Sequence, residues 1–375
     1  MRVLIIIIGL VVALTLAALA WLSTQVTAQS ILDGISEAIK KDGLDMSHDG
    51  PSSLSIFPDT FLEISQLSVI IPESDEGAQV SIELTGLRFE TSVLSLLRSP
   101  KGYLSVKSLM VDDITLSNLA SEVFIKDAVT LPNLSAQLWQ GVLNGSVVID
   151  TGGDKVVIRT EGRLDNADAS EVLTSLAKVD LLSGALSLNW NLEIIPPEDD
   201  DRVAQINGNL DASGEAIAFD SLDLERSICD AVALAEGQRV SSAISGQTLF
   251  TRFNASQTLS GTEVRIDELI LATSGMTVSG KGMLDRASTV FTAEAVSNLN
   301  AAKMNQRSDC QISSRVSEIQ WPVTCEGRTD KGDPGSWCQV DVSSIAEQIL
   351  KARIKDKLKL DGDSDLFQSL LERIR

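Results

Sequence analysis

The sequence predicts a mainly β fold: an elongated, curved antiparallel sheet behind an N-terminal transmembrane helix, with short amphipathic helices at both ends. Three observations predict it. Apolar and polar residues alternate from Ser53 onward, as at Leu62 and Ile64 and then Leu67, Val69 and Ile71, the period of a strand with one wet face. The chain is 43% hydrophobic but only 4% aromatic, so its apolar mass is aliphatic. Val3–Leu22 holds twenty residues without a charge, and a bilayer core needs roughly 20 apolar residues as helix.

Residues 1–23 form the cytoplasmic tip and anchor. A secretory signal has a shorter apolar core of roughly 7 to 15 residues, which favours an uncleaved anchor, although LAALA and QVTA also read as weak cleavage sites. Arg2 precedes the run and the next lysine is Lys40, so the N-terminus is expected in the cytoplasm and the rest outside it.

Residues 24–195 form the first β region. It opens with a helix over 24–41, where Ile31, Ile35 and Ile39 lie four apart and Gly43 ends the run. His48 falls in MSHDGPSS, a turn-like stretch before the first strand. In QVSIELTGLRFE the apolar parity of Val80, Ile82 and Leu84 shifts at Gly86 to Leu87 and Phe89, which reads as a bulge. Val93, Leu94, Leu96 and Leu97 suit a short amphipathic helix closed by Pro100. Strands resume at Tyr103, and a loose phrase of Gly then an alternating pair ending in Asp recurs at Leu143, Thr160, Ile206 and Val278. IIPPEDDDR, Ile194 to Arg202, is the clearest break, and residues 196–342 form the second β region. Ser344 and Glu347 make a capping-box pattern that opens the amphipathic segment 343–375, with Leu366, Leu370 and Ile374 on one stripe.

Composition excludes several functions. The net charge of −21 argues against nucleic acid and against long-range attraction to anionic headgroups. The lone His48 has no serine or cysteine at a catalytic spacing, no G-x-S-x-G elbow appears, and SGKG at Ser279 lacks a phosphate loop's third glycine, so no enzyme activity and no cofactor are expected. Asp361, Asp363 and Asp365 imitate a calcium loop, but Leu366 stands where its sharp turn needs glycine. Cys229, Cys310, Cys325 and Cys338 allow three pairings. Cys325 and Cys338 flank a Gly- and Pro-bearing loop and are the first choice for a disulfide; Cys229–Cys310 then follows by elimination. A four-cysteine zinc site lacks any C-x-x-C pair, and no metal is expected.

Two architectures fit the alternation. One is a sandwich of two sheets; the other is a single curved sheet whose apolar face lines a groove. Aliphatic walls with few rings suit flexible acyl chains, and the candidate contacts are Leu62, Ile64, Val69, Ile82, Leu104, Val106, Val264 and Ile266. SLSIFPDTFLEISQLSV, LRFETSVLSLLRSPKGYLSVKSLMVDDITL, FDSLDLERSICDAV, the strand with Gly280 and Gly282, IQWPVTCEG and SWCQVDV occur in an order that resembles the AsmA family of bacterial inner-membrane-anchored proteins. The resemblance implies a β-groove that carries phospholipid between the inner and outer membranes or supports outer-membrane homeostasis. It also implies a single-pass inner-membrane protein, anchored by residues 3–22, with its bulk in the periplasm and a periplasmic or outer-membrane partner. It brings no catalytic residues. The rival expectation is a non-enzymatic scaffold or assembly factor for outer-membrane proteins, its groove filled by its own side chains.

Overall fold

A computed structural model describes residues 28–41, 45–55, 60–71, 80–92, 101–153, 155–177, 180, 182–197, 203–220, 223, 225–226, 229, 246–306, 319–330 and 337–340. The expected anchor, the helix over 93–97, the acidic break at 198–202 and the C-terminal segment lie outside these residues. What is described is mainly β, antiparallel in its pairings, with few helices. The chain divides into two compact units: residues 1–180, 186–211 and 258–262, and residues 181–185, 212–257 and 263–375.

The first unit begins with helix α1 (Ala28–Lys41), within the expected 24–41. Ala28 and Leu32, one turn apart, are buried in the unit's core. Strands β1 (Asp45–Ser55), β2 (Thr60–Ile71), β3 (Val80–Thr91), β4 (Lys101–Val111), β5 (Ile114–Ile125), β6 (Ala128–Leu138), β7 (Gly141–Asp150) and β8 (Val157–Asp168) then pair in sequence order as a meander. β1 starts eight residues before the expected Ser53, since Asp45 already pairs with Ile70. The turn-like HDGP stretch is a bulge inside this strand: Gly50 has φ +77°, and the register jumps between Asp49 and Ser52.

The parity shift at Gly86 is present, but it belongs to a row of strands. Ser65 of β2, Gly86 of β3, Lys107 of β4 and Asn118 of β5 fall opposite one another, and apolar parity changes at each. Because neighbours change together, the β2–β3 and β3–β4 registers run through without a slip. Gly86 and Asn118 reach the left-handed region, φ +62° and +52°.

The β6–β7 turn places Trp139 and Gln140 at φ +48° and +61°, a primed turn built without glycine. Helix α2 (Ala169–Ala177) holds it. The Trp139 indole N–H donates to Ser175 Oγ at 3.0 Å, and the Gln140 amide donates to Glu171 Oε1 at 2.7 Å. α2 itself is capped by Asp168, whose Oδ1 accepts the Glu171 N–H at 3.0 Å.

Two strands run through both units. In β9 (Leu182–Ile195) the boundary follows Ala185, and in β10 (Gln205–Phe219) it follows Asp211. The second unit adds β11 (Thr248–Phe250), most of β12 (Arg252–Ser260), β13 (Glu263–Ala272), β14 (Met276–Asp285), β15 (Val290–Leu299), helix α3 (Ala301–Met304), β16 (Gln320–Arg328) and β17 (Cys338–Val340). β13 to β17 pair in order. Asn300 caps α3 by accepting the Lys303 N–H at 3.1 Å.

Candidate functional site

Each unit presents one apolar and one polar face, because successive side chains of a strand point to opposite sides. In the first unit the apolar face is closed. Leu67, Val69 and Ile82 are 0% exposed, and they join Leu84, Leu87, Phe89, Leu109, Leu131, Ile149 and Ile158 in one buried cluster. A single meander cannot bury one face unaided. Here α1 supplies Ala28 and Leu32, α2 supplies Val172, and β9 packs Leu186, Leu188, Trp190 and Ile194 against the cluster. Trp190 satisfies its indole N–H on Thr160 Oγ1 at 3.1 Å.

In the second unit the apolar face is half-buried along most of β13–β16. Its rows follow from the register: Val264 with Leu284, Phe291 and Gly327; Ile266 with Gly282, Ala293 and Cys325; then Gly280 with Ala295 and Val323. All of these are intermediate in exposure. Burial rises in the next rows, where Ser297, Trp321, Leu299 and Met276 are 1–4% exposed. The floor of the open rows is glycine and alanine, side chains too small to fill a core.

The expected contact residues therefore divide. Leu62, Ile64, Val69, Ile82, Leu104 and Val106 lie in the closed cluster of the first unit. Val264 and Ile266 lie on the half-buried face of the second. The alternation assigned all eight to an apolar face; it carried no information on what covers that face. Ser297 and Trp321 are not among the expected contacts, since a serine within an alternating run looks like a wet-face residue.

The opposite faces carry paired charges. Arg88 bonds Glu90 at 2.6 Å, Arg159 bonds Glu193 at 3.1 Å, and Arg265 bonds Asp267 at 2.6 Å. These pairs are well exposed and each is worth little. Open recesses of about 640 Å³ and 340 Å³ also sit on the polar sides, the first beside Asn133, Asn144, Glu161, Arg163 and Asn189, the second beside Arg265, Lys281 and Glu294. Asp330, bridged by Arg328 and by the Thr289 hydroxyl at 2.6 Å, is held well below the ordinary carboxylate range, first by the Arg328 bond and then by Thr289. Burial lowers the pKa of Arg286.

Cys229, Cys325 and Cys338 belong to the second unit. Cys229 and Cys325 each take part in a disulfide. The register sets Cys325 opposite Cys338. The Glu326 N–H donates to the Trp337 carbonyl at 3.0 Å, which makes the neighbouring pair the hydrogen-bonded one. Cys325 and Cys338 then form a non-hydrogen-bonded pair, where Cα atoms stand roughly 4.5 Å apart, within a disulfide's reach. Cys310 lies outside the described residues.

Among the described residues, no three His, Cys, Asp or Glu side chains group as a metal site, and no helix is long and apolar enough to cross a membrane. His48 stands in β1 with its Nε2 3.4 Å from Gln29 Nε2. Compared with known protein families, curated proteins and solved structures, the chain matches none of them.

Proposed function

We propose that this is a membrane-anchored periplasmic protein that holds phospholipid acyl chains on an apolar sheet face and supports lipid movement between the inner and outer membranes. One observation carries the reading: the half-buried aliphatic face of β13–β16 in the second unit, in a chain whose polar residues are sorted onto the other side. Aliphatic surface left partly open is costly in water at about 25 cal/mol per Å², and an acyl chain removes that cost without asking for directional bonds. The uncharged run Val3–Leu22 supports an anchor, and the resemblance to the AsmA family supports the lipid. The reading assigns no catalytic residue.

A specific observation favours the second reading, an assembly scaffold with a self-filled groove. The apolar face of the first unit is filled by the chain's own side chains, with Leu32 of α1 at 0% exposure. The two readings separate on one measurement. The full chain, extracted in mild detergent and purified, is expected to carry phospholipid detectable by mass spectrometry after organic extraction. A lipid-free protein that remains active in cells would leave the scaffold.

A further inference from the structure

We propose that the floor of β14 and β15 seats a single acyl chain lying along the strands, with its carbonyl or carboxylate oxygen held by Ser297 and Trp321. This inference rests on the lipid reading above and gives it a place and a polarity.

The seat is shaped by side-chain size. Gly280 and Gly282 of β14 lie opposite Ala295 and Ala293 of β15. A Cβ at Gly280 would stand 2.8 Å from the Glu294 carbonyl oxygen and 2.9 Å from the Ala295 Cβ, so the floor there is bare backbone. Larger residues border it: Ile266 and Val264 on the β13 side, Val323 and Cys325 on the β16 side. From the Val278 row to the Leu284 row is six residues, about 20 Å at roughly 3.4 Å each. The Leu284 end is closed by Phe291 and Trp337, packed edge to face with centroids 5.0 Å apart over Gly327.

The other end carries the polarity. Ser297 and Trp321 face each other across β15 and β16, one row beyond Gly280, Ala295 and Val323 and on the same face. They are 1% and 3% exposed, yet Ser297 Oγ and Trp321 Nε1 have no hydrogen-bond partner among the described residues. A buried polar atom without a partner is costly, and native proteins almost always supply one. The residues that the register sets beside them, Val278 in the same row and Met276 and Leu299 in the next on that face, are apolar. The carboxylate of Glu225, buried in the same unit, already accepts from Gly275 N at 2.8 Å and from Thr273 Oγ1. An indole N–H can only donate and a hydroxyl can donate beside it, so the partner that serves both is an acceptor oxygen. An apolar trough with an acceptor-binding pair at its Val278 end fits an acyl carboxylate or an acyl ester.

The test uses the full chain in a maltoside detergent and cis-parinaric acid, a fluorescent fatty acid, with competition by a phosphatidylethanolamine and by hexadecane. Ala293→Phe fills the floor and is expected to abolish saturable parinaric acid binding. Ala295→Val, a smaller filling, takes its place if Ala293→Phe lowers the melting temperature. Ser297→Ala with Trp321→Phe keeps the shape and removes both donors; parinaric acid is expected to bind about tenfold more weakly, with competition by hexadecane unchanged. Displacement by phosphatidylethanolamine assigns the oxygen to an ester, and its failure assigns it to a free carboxylate. Unchanged parinaric acid binding in the filled variants overturns this seat while leaving the wider lipid reading standing. Blocked binding in the filled variants with no loss in the donor variant overturns the oxygen assignment. Failure of the wild type to bind any of the three ligands overturns both readings.

Discussion

The two units share one pattern and use it differently. Along β2–β4 the buried apolar positions are Leu, Ile, Val and Phe, sealed to 0–6% exposure. Along β14 and β15 the equivalent positions include Gly280, Gly282, Ala293 and Ala295, and they stay half-buried. Period-two alternation names a face, but the volume of the residues on it decides whether the face can close. A large aliphatic side chain interdigitates with its neighbours and gains roughly 1.5–3 kcal/mol on burial. Glycine and alanine bring almost no such gain, so a sheet floored with them ends in a shallow trough.

A buried charge breaks the comparison most sharply. Val106→Asp places a carboxylate in the closed cluster and is expected to cost several kcal/mol, lowering folded yield or aggregating the protein. Val264→Asp keeps its carboxylate near solvent on the half-buried face; the fold is expected to survive with a penalty of about 1 kcal/mol and the co-purified phospholipid to fall. Folded yield, circular dichroism and lipid mass spectrometry read both variants. Equal collapse of the two would mean that the second face is as closed as the first.

Reduction is the next largest effect. The second unit holds the described cysteines, and the proposed Cys325–Cys338 bridge spans a loop of about a dozen residues, worth about 3 kcal/mol in the chain-entropy account. Dithiothreitol is expected to raise hydrogen exchange in β16 and β17 while β2–β4 keep their protection. Peptide mapping without reductant should recover Cys325 joined to Cys338, and a different partner would end that assignment.

The smallest effect concerns acid. The pKa of Asp330 is depressed in the folded protein, so its contribution is fully present above the unfolded value of about 3.9 and is lost as pH falls through the folded value. Asp330→Asn should therefore lower the urea midpoint slightly at about pH 6, with the difference shrinking as pH falls below about 4. The group is solvent-exposed, so a large change in the urea midpoint would be out of keeping with its surroundings.

Much of this fold was legible in the sequence, and the misses share a cause. Helix α1 and the run of one-faced strands follow from periodicity. The parity change at Gly86 was visible too, but its partners at Ser65, Lys107 and Asn118 were not, because pairing between strands is a tertiary fact. The early start of β1 was hidden by Gly50 and Pro51, which mark a turn in isolation and a bulge in context. Helix α2 did leave a signal: Asp168 stands three residues before the Glu171 N–H it caps. On the candidate surface, side-chain size along β14 and β15 was readable from the start, whereas the burial of Ser297 and Trp321 depends on tertiary packing, which a strand's own alternation does not encode.

The row of Ser65, Gly86, Lys107 and Asn118 has a consequence for how such a sheet can change over generations. Each strand carries its extra residue at the same level, so losing one from a single strand would turn half of that strand inside out while its neighbours stayed in place. Such a deletion becomes tolerable only when adjacent strands lose theirs as well. Lineages descended from a common ancestor of this chain should therefore gain or lose length here in concert, as matched gaps in consecutive strands, and single-strand gaps should concentrate in the connections between them.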